Sequence, residues 1–187
     1  MNFVHLLPVG TISHSLLENL RADLPKSLRI ECEIHPLSLD PAPSYHAERQ
    51  QFHSSELLQR MHQLVRTKDW RLLAITDVDL YIPILKYVFG EAQMGGSCAI
   101  VSIFRLRQGF YGLPEDEHLL QKRLLKESLH ELGHTLHLRH CEDYRCAMAS
   151  SHAVEWIDLR ESSWCESCCA KAEAMLSAKS VLADRRI

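Results

Sequence analysis

His130-Glu131-Leu132-Gly133-His134-Thr135-Leu136-His137-Leu138-Arg139-His140-Cys141 is the stretch on which the reading of this chain turns. Leu129, Leu132 and Leu136 recur at helical spacing through its first part. Four residues turn an α-helix by about 400°, so His130 and His134 share one face, a single turn apart. Two imidazoles placed this way can hold one zinc ion at roughly 2.0–2.1 Å. Glu131 stands beside the first of them, where a carboxylate can serve as general base toward a metal-activated water. The spacing His-Glu-x-x-His is that of zinc peptidases.

A hydrolytic zinc needs a third protein ligand and an open position. His137 continues the same helical face, but seven residues rise about 10 Å along the axis, too far for ligands that must converge. His140 reaches the metal only if the helix stops near residue 137 and the chain doubles back. In the metzincin pattern, His-Glu-x-x-His-x-x-Gly-x-x-His, a glycine makes that turn. His137 stands there in this chain, and histidine accepts positive φ at a modest cost. The expected ligand set is therefore His130, His134 and His140.

Cys141 follows directly, and the chain continues through Cys146, Met148 and then Cys165-x-x-Cys168. Four cysteines in two close pairs are the sequence form of a closed structural zinc site. Adjacent side chains on an extended backbone point opposite ways, so His140 and Cys141 should serve different ions. Of the three thiols Cys165, Cys168 and Cys169, the two-residue gap favours the first two, leaving Cys169 spare.

This combination closely resembles the archaemetzincins, which join a three-histidine site to a four-cysteine site in this order. The resemblance extends upstream through Arg49-Gln50-Gln51-Phe52-His53-Ser54, Asp79-Leu80-Tyr81, Phe89-Gly90-Glu91-Ala92 and Gly95-Gly96, and so covers most of the chain. Two departures stand: His137 replaces the usual glycine, and the gap before Cys165 is one residue off the common spacing. The resemblance implies a metzincin-like α/β domain with a mostly parallel, twisted sheet, packing helices and a long active-site helix. It implies an edge strand in the region of Ala99 to Phe104 that binds peptide by strand addition. It places Met148 in a turn beneath the metal. It also implies a zinc peptidase with two zinc ions per chain, one catalytic and one structural, and an action directed at peptide N-termini, aminopeptidase-like.

At 187 residues the chain should be one domain, 1–187, with the structural zinc region at about 141–169. A net charge of −3 without a basic tract gives no footing for nucleic acid. No apolar run approaches the roughly 20 residues of a membrane span. The start, Met1 to Gly10, lacks a basic leader and reads as a first strand. Seven cysteines without a secretory signal point to metal ligation in a reducing cytoplasm rather than to disulfides. His5, His14, His35, His46, His62, His118 and His152 lack ligand spacing and read as ordinary histidines.

In chain order the pattern predicts a strand at Phe3–Val9 and a helix from Ser13 or Ser15 to about Asp23, ended by Pro25. A strand at Leu28–Ile34 follows, then irregular chain to Tyr45 and a helix from Ala47 or Ser54 to Thr67. Leu72–Thr76 is apolar throughout and suits the middle of a sheet. Asp77 and Asp79 read as turn formers, Tyr81–Phe89 as a loop or edge, and Ala99–Phe104 as a strand. The long helix starts near Pro114 and runs to about His137. Trp156, Ile157 and Leu159 should pack the return loop, and a last helix at Ala170–Ala183 should turn Ala172, Met175, Leu176 and Leu182 inward. Two other functions fit part of the pattern. One is a catalytically silent peptide-binding domain that keeps both sites. The other is zinc storage or a purely structural role, against which Glu131 argues because ligation alone needs no carboxylate there.

Overall fold

Successive apolar runs build the strands and the stripes between them build the helices. In chain order these are β1 (Phe3–Val9), α1 (His14–Leu28), β2 (Glu31–Ile34), β3 (Tyr45–His46), β4 (Gln51–His53) and α2 (Ser54–His62). Then come β5 (Trp70–Thr76), β6 (Leu80–Tyr81), β7 (Gly90–Ala92), β8 (Cys98–Ser102), α3 (Glu117–Thr135), α4 (Val154–Leu159) and α5 (Glu166–Asp184). The computed structural model describes residues 3–28, 30–65 and 70–184, with side chains through residue 175.

The main sheet has five strands in the order β2-β1-β5-β8-β7. All neighbours are parallel except β7, which runs antiparallel to β8 and forms one edge. β5 lies in the middle, as its unbroken apolar run predicts, and it is buried from Arg71 to Thr76. Side chains alternate between two cores along each strand. Val4, Leu6, Leu73, Ile75, Ala99 and Val101 pack toward α1 and α3. Leu7, Val9, Leu72, Ala74, Cys98 and Ile100 pack toward Leu57, Leu58 and Met61 of α2. This is an α/β domain with helices on both faces of a mostly parallel sheet.

Five expectations need correction. Pro25 does not end α1, which continues to Leu28. Leu24 is fully buried and Leu28 packs on the same core, and that burial outweighs one lost hydrogen bond near the helix end. The strand at Cys98–Ser102 is interior, paired on both sides; the edge is β7, because Gly90-Glu91-Ala92 folds back antiparallel against it. Trp156 and Leu159 are 51% and 60% exposed, since α4 is a single short helix with only Val154 and Ile157 turned inward. Met175 is exposed whereas Ala172 is buried. α2 ends at His62, short of the expected Thr67, because the chain turns at Gln63 and Leu64, and the inward Leu176 and Leu182 lie outside the described side chains.

A smaller sheet has the order β3-β4-β6. Asp79 receives a two-pronged hydrogen bond from Arg105 at 2.6 and 2.7 Å and one from Gln51 Nε2 at 2.9 Å. It is a turn acid held in an ion pair, as its position after β5 suggests. Arg49 lies over the Tyr81 ring and donates to the carbonyls of Leu85 and Lys86. The Arg49–Ser54 stretch thus fixes the loop that follows β6. Ser54 and Ser55, opening α2, donate to the Glu91 carboxylate and pin the edge strand to the helix.

Candidate active site

α3 carries the site because its buried stripe leaves it no freedom. Asp116 caps it, accepting the Leu119 N–H at 2.9 Å, and Leu120, Leu124, Leu129 and Leu132 are buried under the sheet. Arg123 ties it to α4 through Asp158 at 2.7 and 2.6 Å. Thr135, at its last turn, accepts from Arg71 of β5 at 3.2 Å. His130, Glu131 and His134 are therefore mounted on a rigid element.

The helix stops in a Schellman turn. Leu136 is the cap, His137 has φ +63°, its N–H bonds the His134 carbonyl at 3.0 Å, and the Leu138 N–H bonds the Gly133 carbonyl at 3.0 Å. The missing glycine is thus replaced by a histidine in the left-handed region. Its ring finds space over Gly95, where a Cβ would fall 2.0 Å from the imidazole. Gly95 itself has φ +68° and donates to the His134 carbonyl at 2.9 Å. The turn sends the chain back, and His140 arrives with its ring centre 5.2 Å from that of His130 and 5.1 Å from that of His134.

One nitrogen from each of His130, His134 and His140 lies within 4.8 Å of the others. His130 Nδ1–H donates to the Ala147 carbonyl at 2.8 Å, and His134 Nδ1–H to the Leu138 carbonyl at 2.7 Å. Carbonyls only accept, so in the neutral rings both Nε2 atoms are bare lone pairs, and they stand 3.1 Å apart. That approach is not a hydrogen bond unless one ring is protonated. Burial, more than any neighbour, pushes the pKa of both rings down, His130 furthest, which disfavours that proton. A cation between the lone pairs removes the conflict, and the ligand–ligand edge of a tetrahedral zinc–nitrogen site is about 3.3 Å. The donor set fits zinc.

Glu131 is buried beside the histidines, and its Oε2 has no hydrogen-bond partner among the described residues. Gly90 on the edge strand makes room for it, since a Cβ there would sit 2.7 Å from Glu131 Cγ and Oε1. Burial raises its proton affinity well above the ordinary carboxylate range; Glu127 and Glu91 add to this and Arg160 opposes it. A cleft of about 650 Å³ opens over this group. Its walls include Tyr87 to Ala92 on one side and Ser150, Ser151 and His152 on the other. Below, Met148 is fully buried against α3, with its sulfur where a Cβ on Gly133 would come within 2.2 Å.

A second cluster lies next door. The sulfurs of Cys141, Cys146, Cys165 and Cys168 are all within 4.8 Å of one another, and all are free thiols. Cys141 and Cys165 sulfurs are 3.7 Å apart, close to the roughly 3.8 Å edge of a tetrahedral zinc–thiolate site and far beyond a disulfide. Backbone N–H groups of Met148 and Cys165 point at Cys146 Sγ. The Cys168 backbone N–H is the main cause of the lowered pKa of Cys165. Cys169 stays outside, its thiol directed at the Trp164 carbonyl at 3.5 Å. This donor set also fits zinc. Sequence reading missed Glu127, Arg160 and the Ala147 carbonyl. Glu127 carries a signal, an acid one turn before Glu131 in a leucine-rich helix; Arg160 carries none.

The family model for peptidase family M54 matches residues 10–174. The chain belongs to that family. Among curated relatives, the archaemetzincin of Methanocaldococcus jannaschii is 37% identical over 166 residues, spanning 89% of this chain and 90% of the relative. That of Archaeoglobus fulgidus is 33% identical over 168 residues, spanning 90% and 97%. Among solved structures, a zinc-dependent peptidase from Methanocorpusculum labreanum superposes with TM-score 0.82 at 26% identity, covering 90% of this chain and 99% of that one. The Archaeoglobus fulgidus archaemetzincin complexed with malonate gives TM-score 0.78 at 31% identity, covering 90% and 99%. This M54 peptidase is accordingly a metalloprotease of the archaemetzincin kind, with two donor clusters for two zinc ions.

Proposed function

We propose that this M54 peptidase hydrolyses peptide bonds in the cleft. In this reading His130, His134 and His140 hold the catalytic zinc, and Cys141, Cys146, Cys165 and Cys168 hold a structural one within the region 141–169. The observation that carries it is the pair of Nε2 lone pairs 3.1 Å apart beside a buried carboxylate whose Oε2 has no hydrogen-bond partner among the described residues. Bound at the histidines, zinc supplies Lewis acidity, polarising a carbonyl oxygen and lowering the pKa of water toward about 7.

Glu131 is the general base. Its Oε2, without a hydrogen-bond partner among the described residues, takes a proton from the attacking water and later passes it to the leaving amine. Gly90 keeps the approach clear. Among the described residues β7 pairs with β8 alone, so its outer edge can take a peptide laid along it as a further strand. Met148 supports the ligand helix from below through Gly133. The whole chain, 1–187, acts as one functional unit. The unpaired thiols of the cysteine cluster suit a reducing compartment, and we place the protein in the cytoplasm.

A peptide library offered to the zinc-loaded protein, with free and with N-acetylated termini, tests this. Cleavage that vanishes in His134→Ala is expected, and a loss confined to the acetylated set gives the aminopeptidase-like form of the reading. Tight binding without cleavage would point to a silent binding domain. Neither binding nor cleavage would leave zinc storage.

A further inference from the structure

Arg160 ends α4, and its side chain is 1% exposed at the floor of the cleft. Its Nη1 donates to Glu127 Oε2 at 3.0 Å and to the Ala147 carbonyl at 3.3 Å, while Nη2 donates to Ser151 Oγ. The Ala147 carbonyl is the same one that takes the Nδ1–H of His130 at 2.8 Å. One oxygen therefore receives both the guanidinium and the imidazole, and its lone pairs are shared between them.

A buried ion pair is weak evidence for stability, because desolvation offsets most of the attraction. A cation beside a metal site is a further disadvantage, which Glu127 neutralises by direct contact. What the pair adds is direction. Arg160 is held by Glu127 at Nη1 and by Ser151 at Nη2, and Nη1 is thereby aimed at the Ala147 carbonyl as well. The orientation of the Ala147 carbonyl sets the tautomer and ring plane of His130, and with them the aim of Nε2.

We propose that Arg160 is the positioning residue of the three-histidine site, acting on His130 through the Ala147 carbonyl. The inference rests on the reading of His130 as a metal ligand. It assigns Arg160 no contact with substrate. Glu127 belongs to the same device, since without it the guanidinium would be a lone buried charge.

Cobalt(II) titration of the full-length, metal-stripped protein tests this without recourse to activity. Cobalt on thiolates gives intense ligand-to-metal bands, and cobalt on nitrogen gives only weak visible bands, so the two sites are read separately. Arg160→Met is compared with wild type, and so is the double variant Glu127→Gln/Arg160→Met, which leaves no unpaired charge and preserves folding if the single variant does not. The expected result is an affinity loss of about 10–100-fold at the nitrogen site with altered visible bands, and an unchanged thiolate site. A double variant with wild-type affinity and spectrum at the nitrogen site would overturn the inference. So would equal losses at both sites, which would mean a general structural role. If wild-type protein shows no nitrogen-ligated cobalt sensitive to His134→Ala, the ligand assignment itself fails, and the inference with it.

Discussion

Glycines and the side chains they admit set the geometry of the site. Gly133 lies in the last turn of α3, where alanine would add at most about 1 kcal/mol of helix propensity. Its Cβ would nevertheless meet Met148 sulfur at 2.2 Å, and overpacking of this kind costs about 1–3 kcal/mol. Gly133→Ala should therefore lower the thermal midpoint in spite of its propensity; a raised midpoint would mean that Met148 moves aside freely. His137 and Gly95 form a second such pair. His137→Gly should keep both zinc ions and equal or slightly improve stability, because the left-handed backbone no longer carries a side chain. Gly95→Ala should destabilise the wild type far more than it destabilises His137→Gly, a double-mutant cycle read by denaturant unfolding. Zinc analysis checks the thiols: Cys169→Ser should retain two ions, whereas Cys168→Ser should lose the second site and much of the stability.

The elements show where local sequence speaks and where packing overrides it. β1 and β5 were legible to the residue or nearly so, because buried strands in a parallel sheet are written as apolar runs. The end of α3 was legible too, since three converging histidines require a turn near residue 137. Pro25 misleads because its own rule is local, while Leu24 and Leu28 are buried by elements distant in sequence. β7 was unreadable for a related reason: three half-buried residues rich in glycine carry no period, and only pairing with β8 makes them a strand. The cap of α3 gives a pH test at this scale. The Leu119 N–H holds the Asp116 carboxyl below its usual range, so the folded state favours the ionised form. Its stabilisation is full above the ordinary carboxylate pKa and is lost as pH falls through the lower folded value. Asp116→Ala should therefore weaken the protein at neutral pH, with the difference from wild type shrinking in acid.

At the scale of the molecule, the two metal clusters share one short segment. His140 adjoins Cys141, Ala147 and Met148 follow Cys146, and the Cys141 N–H bonds the Met148 carbonyl at 2.9 Å. The two donor clusters were legible because zinc demands residue types at fixed spacing. The groups that touch them were not, because Arg160 and the Ala147 carbonyl are brought in by tertiary contacts that leave no spacing to read. Everything in this architecture converges on Glu131, whose buried Oε2 has no hydrogen-bond partner among the described residues and whose side chain fills the space over Gly90. The direct test is the rate of peptide hydrolysis by Glu131→Gln against wild type, with zinc content measured on the same samples. A fall of roughly 10²–10⁴-fold with both ions retained is the predicted result. Cleavage at the wild-type rate by a fully zinc-loaded Glu131→Gln protein would contradict it.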